Sequence, residues 1–461
     1  EVIDLKIVQI GCNHAGTWSA KTILKNKKEE DELIIFDSND NISFLGCGIA
    51  LWVSGLVKDT SELFYANEKE FKDMGATIKM KHKVLNVDSK KKEVLVENLE
   101  DKTKFVQSYD KLIVAGGSWP IIPPFPGINL KNVLLSKLYQ HGQVIVDKAN
   151  DPNVKKVAII GAGYIGVELA EAFEIKGKEV YLIEMQDRVC ANVFDYDIAK
   201  HLNKAIEKDS KTNLLLNSKV EEFVGDDNGV LKAIKLDKNR VIDIDLAIVC
   251  IGFLPNVKSI LNDAVDLDPR GAIITNRYYQ SSNPDIYAIG DCATHIYNPN
   301  DSQPIAMMLA TNAIRSGVTA GYNVTQQNTL KSRGIQGSNA IHVWNWTLAG
   351  AGMTEAACAM PWSNHKNVKS ILIEDTDKYS FIKDNEKIYF KVVYDDDTKE
   401  IIGCQVASKN NHSAEMYLMS MAIEQKVKIH ELALIDCFFL PHFNKAVSWL
   451  IKPSLKYLNL I

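Results

Sequence analysis

Short apolar runs alternate with amphipathic stretches over the first 330 residues, and one order of elements occurs twice, about 150 residues apart. Each copy predicts a strand, a glycine-containing turn, a helix and a second strand that ends in an acidic residue. The segments are 5–10, 11–16, 17–25, 33–36 and Asp37 in the first copy, and 156–160, 161–166, a helix through Lys176, 180–183 and Glu184 in the second. This order is the βαβ fingerprint of a dinucleotide site, in which the helix N-terminus faces a pyrophosphate.

The two turns differ at their middle position. The second turn has the complete pattern of Gly161, Gly163 and Gly166, whereas Asn13 stands at the middle position of the first. A glycine turn alone can be purely structural, so the strand, the helix and the acidic residue around it support the prediction. Asparagine tolerates a left-handed backbone better than other residues with side chains. We therefore expect the first turn to keep its shape.

Two further apolar runs, 111–115 and 247–251, each lead into a glycine turn, as expected where a chain crosses out of a parallel sheet. From about Lys331 onward, short alternating stretches are followed by helices. We predict an α/β fold with two interleaved Rossmann-like nucleotide-binding domains and a C-terminal α+β domain, because 461 residues exceed the size of one core. The predicted boundaries are 1–120 together with 256–330, then 121–255, and finally 331–461.

Composition excludes several classes of partner. A net charge of −5 without a basic stripe argues against nucleic acid and against a charged membrane surface. The longest apolar stretches, such as 246–254, are far shorter than the roughly 20 residues that span a bilayer. The N-terminus lacks a signal-peptide pattern, so we expect a cytoplasmic protein. The eight cysteines show neither C-x-x-C pairs nor zinc-ligand spacing, which favours reduced thiols and no metal.

Cys47 is the strongest candidate for chemistry, because it lies a few residues beyond Asp37 and has no nearby thiol partner. A single thiol suggests sulfenic-acid or mixed-disulfide chemistry, in which one sulfur alternates between a thiolate and an oxidised form. Segment 48–53 has the apolar spacing of a helix, and its dipole would lower the pKa of the thiol. His14, in the first turn, is a candidate proton donor or acceptor, and the alternative is a structural histidine.

Five motifs taken together resemble those of the FAD-dependent pyridine nucleotide-disulfide oxidoreductases, and the match extends nearly from end to end. They are 11–17, 43–51, 161–168, 289–291 and 439–445. Many members have two cysteines separated by four residues, but the positions five before and five after Cys47 are Ile42 and Trp52. The chain is therefore most similar to the single-cysteine branch and to the water-forming NADH oxidases within it. Coenzyme A disulfide reductases usually have Asn before the cysteine, where this chain has Gly46.

The resemblance implies that the first domain binds FAD, the second binds NADH and the third dimerises. The residues expected around FAD are Gly11, Asn13, His14, Ala15, Gly16, Asp37, Cys47, Val84, Ala115, Gly116, Gly117, Ser118, Lys137, Asp291, Ala310, Thr311 and Phe443. Those expected around NADH are Gly161, Gly163, Tyr164, Ile165, Gly166, Glu184 and Gly252. Members are usually homodimers, and a tetramer is an alternative. Phe443 would then approach the flavin of the other subunit. His442 beside it is a second acid–base candidate, and the alternative is a role in helix capping or packing.

Several side chains around the second turn have alternative interpretations. Glu184 can accept both ribose hydroxyls of NADH and would repel a 2′-phosphate, which favours NADH over NADPH. Arg188, four residues away, weakens that preference. By the resemblance Tyr164 is a gate over the flavin, and the alternative is a packing tyrosine. Glu168 lies near the nicotinamide or belongs to a structural ion pair.

The resemblance also implies a reaction. NADH reduces FAD, the reduced flavin reacts with oxygen through a flavin hydroperoxide, and the Cys47 thiolate reduces the resulting peroxide to water. A second NADH reduces the sulfenic acid, so that two NADH are consumed per oxygen molecule, and His14 supplies a proton. The alternatives that use the same residues are an NADH peroxidase, a coenzyme A disulfide or persulfide reductase, and a flavin-containing redox sensor.

Overall fold

The computed structural model describes residues 4–461. In chain order the strands are β1 Lys6–Ile10, β2 Glu32–Phe36, β3 Thr77–Lys79, β4 His82–Asp88, β5 Glu93–Asn98, β6 Lys104–Ser108, β7 Lys111–Val114, β8 Ser118–Pro120, β9 Val133–Leu135, β10 Lys156–Ile160, β11 Glu179–Ile183, β12 Asn213–Leu215, β13 Val220–Gly225, β14 Leu231–Leu236, β15 Arg240–Asp243, β16 Leu246–Val249, β17 Phe253–Pro255, β18 Ile286–Ala288, β19 His295–Tyr297, β20 Gln303–Ile305, β21 Asn339–Val343, β22 Trp346–Gly352, β23 Val368–Thr376, β24 Lys387–Asp395 and β25 Ile401–Ser408. The helices are α1 His14–Asn26, α2 Ile49–Ser54, α3 Glu68–Asp73, α4 Tyr139–Asn150, α5 Tyr164–Ile175, α6 Tyr196–Asp209, α7 Lys258–Leu261, α8 Ala310–Gln326, α9 Glu355–Cys358, α10 Glu415–Glu424 and α11 Lys452–Tyr457.

The first βαβ unit lies in a five-stranded parallel sheet of order β18-β7-β1-β2-β3. Its strands are almost entirely apolar because both faces are covered, one by α1 and α8 and the other by the small sheet β4-β5-β6. In register, Ile7 of β1 pairs with Leu33 of β2 and with Lys111 of β7. Strand β18 joins this sheet from beyond the second unit, which confirms the predicted interleaving of the two nucleotide-binding folds.

The second βαβ unit lies in another five-stranded parallel sheet, of order β12-β11-β10-β16-β9. Helices α5 and α6 cover one face through buried side chains such as Phe173 and Leu202. The antiparallel sheet β13-β14-β15 covers the opposite face, where Phe223 packs beside Ala158 and Ile160. Periodicity alone had not indicated the two small covering sheets. The exact domain boundaries stay a prediction.

The C-terminal region contains an antiparallel sheet of order β21-β22-β25-β24-β23. Every residue of β25 is buried, because the sheet is packed on both faces. Helix α10 covers it with Met416, Met419 and Ile423, and Trp449 packs edge-on against Phe390 at a ring-centroid distance of 4.9 Å. A separate α+β region after the two Rossmann-like folds is therefore confirmed.

Two absences hold for the described part of the chain. None of the helices within residues 4–461 has both the length and the apolar character needed to cross a membrane. The same residues contain no group of three or more His, Cys, Asp or Glu side chains arranged to hold a metal ion.

Candidate active site

A cavity of about 1470 Å³ opens at the carboxyl ends of both parallel sheets. Open α/β sheets bind ligands at this edge, and the volume exceeds the 300–1,000 Å³ of an ordinary small-molecule pocket. The predicted site residues that line it are Gly11, Asn13, His14, Ala15, Gly16, Asp37, Cys47, Val84, Ala115, Gly116, Gly117, Ser118, Lys137, Asp291, Ala310, Gly161, Gly163, Tyr164, Ile165, Glu184 and Gly252. The predicted residues outside its lining are Thr311, Gly166 and Phe443.

The two turns have nearly the same backbone. Gly11 and Gly161 have φ angles of +90° and +97°, and a Cβ on either would overlap the carbonyl at the end of a neighbouring strand. The middle residues have negative φ angles instead, −87° at Asn13 and −72° at Gly163. Our reason for expecting the first turn to survive was therefore wrong. Asn13 needs no left-handed tolerance, because its φ is negative.

Asp37 closes the first turn from the end of β2. Its carboxylate accepts hydrogen bonds from the backbone amides of Cys12 at 2.7 Å and Asn39 at 2.8 Å. Loss of surrounding water raises the pKa of Asp37 to about 6, although these two amides oppose the shift. A carboxylate held in this way is a suitable acceptor for the hydroxyls of a ribose.

Glu184 occupies the corresponding place at the end of β11. It accepts the amide of Ala162 at 2.8 Å and that of Gln186 at 2.9 Å. Arg188 does not face this carboxylate, since its guanidinium binds Asp187 at 2.7 Å and donates to the Phe194 carbonyl. The arginine that weakened the coenzyme prediction is therefore already engaged elsewhere. A negative charge without a free arginine suits two ribose hydroxyls better than a 2′-phosphate.

A polar network connects the two halves of the cavity. Asp291 Oδ2 accepts from Ser118 Oγ at 2.6 Å and from Lys137 Nζ at 3.2 Å, and Lys137 also donates to Ser118 at 2.9 Å. The same ammonium lies 4.6 Å from the ring centre of Phe253. Carboxylate, hydroxyl and ammonium groups beside an aromatic ring suit a ligand with both a polyol chain and a flat ring system. Together with the two glycine turns, these groups fit a flavin dinucleotide and a second dinucleotide.

Cys47 lies in a 3-10 turn, Gly46–Gly48, that continues directly into α2, which confirms the helix predicted after it. Its side chain is exposed to the cavity. The pKa of the thiol is nevertheless raised, first by loss of water and then by the charge of Glu168, while Lys137 opposes the rise. We expected the helix to lower the pKa of this thiol, but loss of water and the charge of Glu168 raise it. In the protein alone, Lys137 is the cation that favours the thiolate.

His14 begins α1 and lines the cavity. Its Nδ1 lies 2.9 Å from the hydroxyl of Tyr65, and the two rings are stacked at 5.8 Å. Burial lowers the pKa of His14, so the neutral imidazole is favoured at neutral pH. Tyr65 escaped the sequence analysis because it lies in a loop that no motif marks. It orients the histidine through a contact between residues far apart in the chain.

Tyr164 and Glu168 lie on the first turns of α5. The hydroxyl of Tyr164 donates to Asn339 Oδ1 on β21, whose amide donates to the Gly337 carbonyl at 2.7 Å. Burial, with a smaller contribution from Glu171, raises the pKa of Glu168 to about 7. Within residues 4–461 the Glu168 carboxylate has no cationic partner at ion-pair distance, so the alternative of a structural ion pair is wrong. The role of Tyr164 as a gate stays a prediction.

The aromatic and imidazole side chains near the C-terminus lie away from this cavity. Phe443 is 61% exposed, and His442 is exposed as well. Asp375 holds the segment in place by binding Lys445 at 2.7 Å and Lys452 at 2.5 Å. Within the described part of one chain neither side chain lines the cavity, and their approach to the flavin of another subunit stays a prediction.

Comparisons with known proteins support this description. A model of the pyridine nucleotide-disulphide oxidoreductase family matches residues 5–317, and the model of its dimerisation domain matches residues 339–451. An NADH oxidase of Enterococcus faecalis is 40% identical over 446 residues, covering 97% of this chain and 98% of the relative. An NADH oxidase of Mycoplasma pneumoniae is 39% identical, with 98% of each chain covered. A structure of the water-forming NADH oxidase from Lactobacillus brevis bound to NADH is 37% identical, has a TM-score of 0.94, and is matched over 99% of this chain and 98% of that one.

Proposed function

The chain belongs to the pyridine nucleotide-disulphide oxidoreductase family, and on that premise we propose that it is an FAD-dependent NADH oxidase that reduces oxygen to water. The observation that carries the proposal is the thiol of Cys47, which lies between two dinucleotide turns and is the exposed one of the three cysteines that line the cavity. The similarity to a water-forming NADH oxidase over nearly the whole of both chains supports the same reaction.

The turn after β1 would hold the FAD pyrophosphate, with Asp37 on its ribose and the Ser118–Lys137–Asp291 network beside its polyol chain. The turn after β10 would hold NADH, with Glu184 on its ribose. When bound, the flavin accepts hydride from NADH and passes electrons to oxygen. The protein contributes the placement of both ligands and the exclusion of bulk water.

Cys47 would carry the second half of the reaction. Its thiolate attacks hydrogen peroxide, forming an S–O bond while the O–O bond breaks, and this gives a cysteine sulfenic acid and hydroxide. Two electrons and one proton, equivalent to a hydride from a second NADH, return the sulfenic acid to thiolate and release water. Overall, two NADH, one oxygen molecule and two protons yield two NAD⁺ and two water molecules.

His14 would handle the proton that this step requires. The neutral imidazole, hydrogen-bonded to Tyr65, would accept the proton that the Cys47 thiol loses and then pass this proton to the departing hydroxide, which leaves as water. Lys137 supports the thiolate through its positive charge. Neither role demands a protonated histidine in the resting protein, in agreement with the direction of the His14 pKa.

A second copy of the chain would complete the assembly. The matched dimerisation domain supports a homodimer, in which Phe443 and His442 of one subunit approach the cavity of the other. A single subunit on its own would then lack two cavity-facing side chains.

Oxygen uptake by the purified protein with limiting NADH tests the proposal. Two NADH oxidised per oxygen, unaffected by catalase, is the expected result. One NADH per oxygen, with catalase returning oxygen, would contradict water formation. Absence of oxygen uptake would instead indicate a peroxidase, a coenzyme A disulfide or persulfide reductase, or a redox sensor. Turnover with peroxide or with a disulfide would separate these three.

A further inference from the structure

A buried glutamine lies directly beneath the first dinucleotide turn. Gln9 is the fourth residue of β1 and is fully buried in a strand that is otherwise apolar after Lys6. The fourth residue of β10 is Ile159, which is also fully buried. The two otherwise similar strands therefore differ in polarity at one position, immediately below the turn that each of them supports.

The amide of Gln9 joins the two ends of its turn. Its Nε2 donates to the Gly11 carbonyl at 3.0 Å and to the Gly16 carbonyl at 2.9 Å. Two carbonyl acceptors fix the orientation of this amide, because the flipped amide would place three oxygens together. A Cβ on Gly16 would lie 3.0 Å from the same Nε2. The glutamine, the first glycine and the third glycine therefore form one closely packed group.

The other end of this amide has no partner. Gln9 Oε1 is buried and makes no hydrogen bond within the described residues. Leaving such an atom unsatisfied costs about as much free energy as two ordinary hydrogen bonds supply, so the net gain in folding stability is small. What the amide does provide is a fixed separation between the two glycine carbonyls. That separation sets the directions of the free backbone amides on the opposite, cavity-facing side of the turn.

We propose that Gln9 is a positioning residue for the FAD pyrophosphate, which holds the first turn in its binding conformation before the cofactor arrives. The inference rests on the proposed assignment of FAD to this turn. The first turn also carries Asn13 where the second has Gly163, at the position where a glycine lets a pyrophosphate approach the backbone closely. Such a turn has less room to adjust during binding than its glycine counterpart.

Titration of FAD into the FAD-depleted protein tests the proposal with three variants. Gln9→Met keeps the length of the side chain without a donor, and Gln9→Ile reproduces the second strand. Ser19→Ala is the matched control, because the Ser19 hydroxyl is another buried, unpartnered group in the same unit that does not contact the turn. The FAD dissociation constant and the Tm of the FAD-depleted protein are measured for each variant.

Both Gln9 variants should raise the FAD dissociation constant on the order of tenfold, with the Tm of the FAD-depleted protein unchanged or higher. Ser19→Ala should bind FAD like the unaltered protein. The KM for NADH of FAD-saturated enzyme should not change in any of them. Equal FAD affinity in Gln9→Met and the unaltered protein would overturn the inference about Gln9 and leave the proposed function unaffected. An unaltered protein that binds no FAD would overturn the proposed function as well.

Discussion

The turn after β1 and the turn after β10 share a backbone, but the rest of the protein encloses them differently. Beyond Asp37, the loop is held by Gln140 of α4, which donates to Asn39 at 2.7 Å and to Asp40 at 2.8 Å. Beyond Glu184, the next side chain, Met185, is 70% exposed. The loop beyond the first acidic residue is thus held by a helix of the other unit, whereas the corresponding position beyond the second acidic residue is open to solvent.

This difference matches two kinds of ligand. A cofactor that remains bound through every reaction cycle gains from a turn that is held from below and from a fixed loop beside it, because preorganised sites lose less free energy when they bind. A substrate that arrives and leaves in each cycle needs an open approach. We interpret the turn beside the loop held by α4 as the FAD site and the turn beside the exposed Met185 as the NADH site.

Replacing the third glycine of each turn by alanine, one turn at a time, should have the largest effect on ligand binding. A Cβ on Gly16 would overlap the Gly11 carbonyl, and a Cβ on Gly166 would overlap the Gly161 carbonyl. Gly16→Ala should therefore abolish FAD binding and all oxidase activity. Gly166→Ala should retain FAD but raise the KM for NADH on the order of a hundredfold. Flavin absorbance of the purified variants and steady-state kinetics measure both effects.

Gly163→Ala serves as the control for these two variants, since a Cβ there meets nothing within 4 Å. It should fold and retain FAD normally. Loss of FAD from Gly166→Ala would contradict the assignment of the two ligands to separate turns.

The enclosure of Asp37 predicts a pH dependence of the FAD-depleted protein. Its pKa in the folded protein is raised to about 6 from the ordinary value of 3.8, so folding is favoured by the protonated form. The stabilisation is complete below pH 4 and is lost as pH rises through 6, by up to about 3 kcal/mol. The Tm of the unaltered protein, measured relative to that of Asp37→Asn, should therefore fall between pH 4 and pH 6.5. A constant difference across that range would show that Asp37 is not enclosed.

The smallest effect concerns the covering contact. Gln140→Ala removes both hydrogen bonds to the loop after Asp37, and we expect the FAD dissociation constant to rise about threefold. Gln107→Ala is a suitable control, because this half-buried glutamine lies outside the cavity lining and binds only a neighbouring carbonyl. Titration of FAD into the FAD-depleted variants measures both. An unchanged FAD affinity in Gln140→Ala would show that the contact between α4 and this loop does not contribute to FAD binding.

The local sequence predicted those parts of the site that follow from periodicity and glycine placement. The strand–turn–helix–acid order located Asp37 and Glu184, and the apolar spacing after Cys47 indicated the helix that is observed. A local pattern cannot show what packs against a residue from elsewhere in the chain. For that reason Tyr65 beside His14 and Asn339 beside Tyr164 were missed.

The same limit explains two wrong expectations. The Cys47 thiol was expected to have a lowered pKa. A local helix pattern does not show that Glu168 lies nearby, or how much water the fold removes from around the thiol. The first turn was expected to keep its shape because asparagine tolerates a left-handed backbone, whereas the φ angle of Asn13, −87°, is not left-handed. Both depend on the folded backbone and its surroundings, which the identity of a single residue does not determine.

The most direct test of the proposed reaction is the ratio of NADH oxidised to oxygen consumed in Cys47→Ser, measured with and without catalase. We predict continued NADH oxidation with a ratio of one and with oxygen returned by catalase, because peroxide escapes unreduced. Cys437→Ser, which removes the other exposed cysteine, should keep a ratio of two. A ratio of two without any catalase effect in Cys47→Ser would contradict the assignment of peroxide reduction to this thiol.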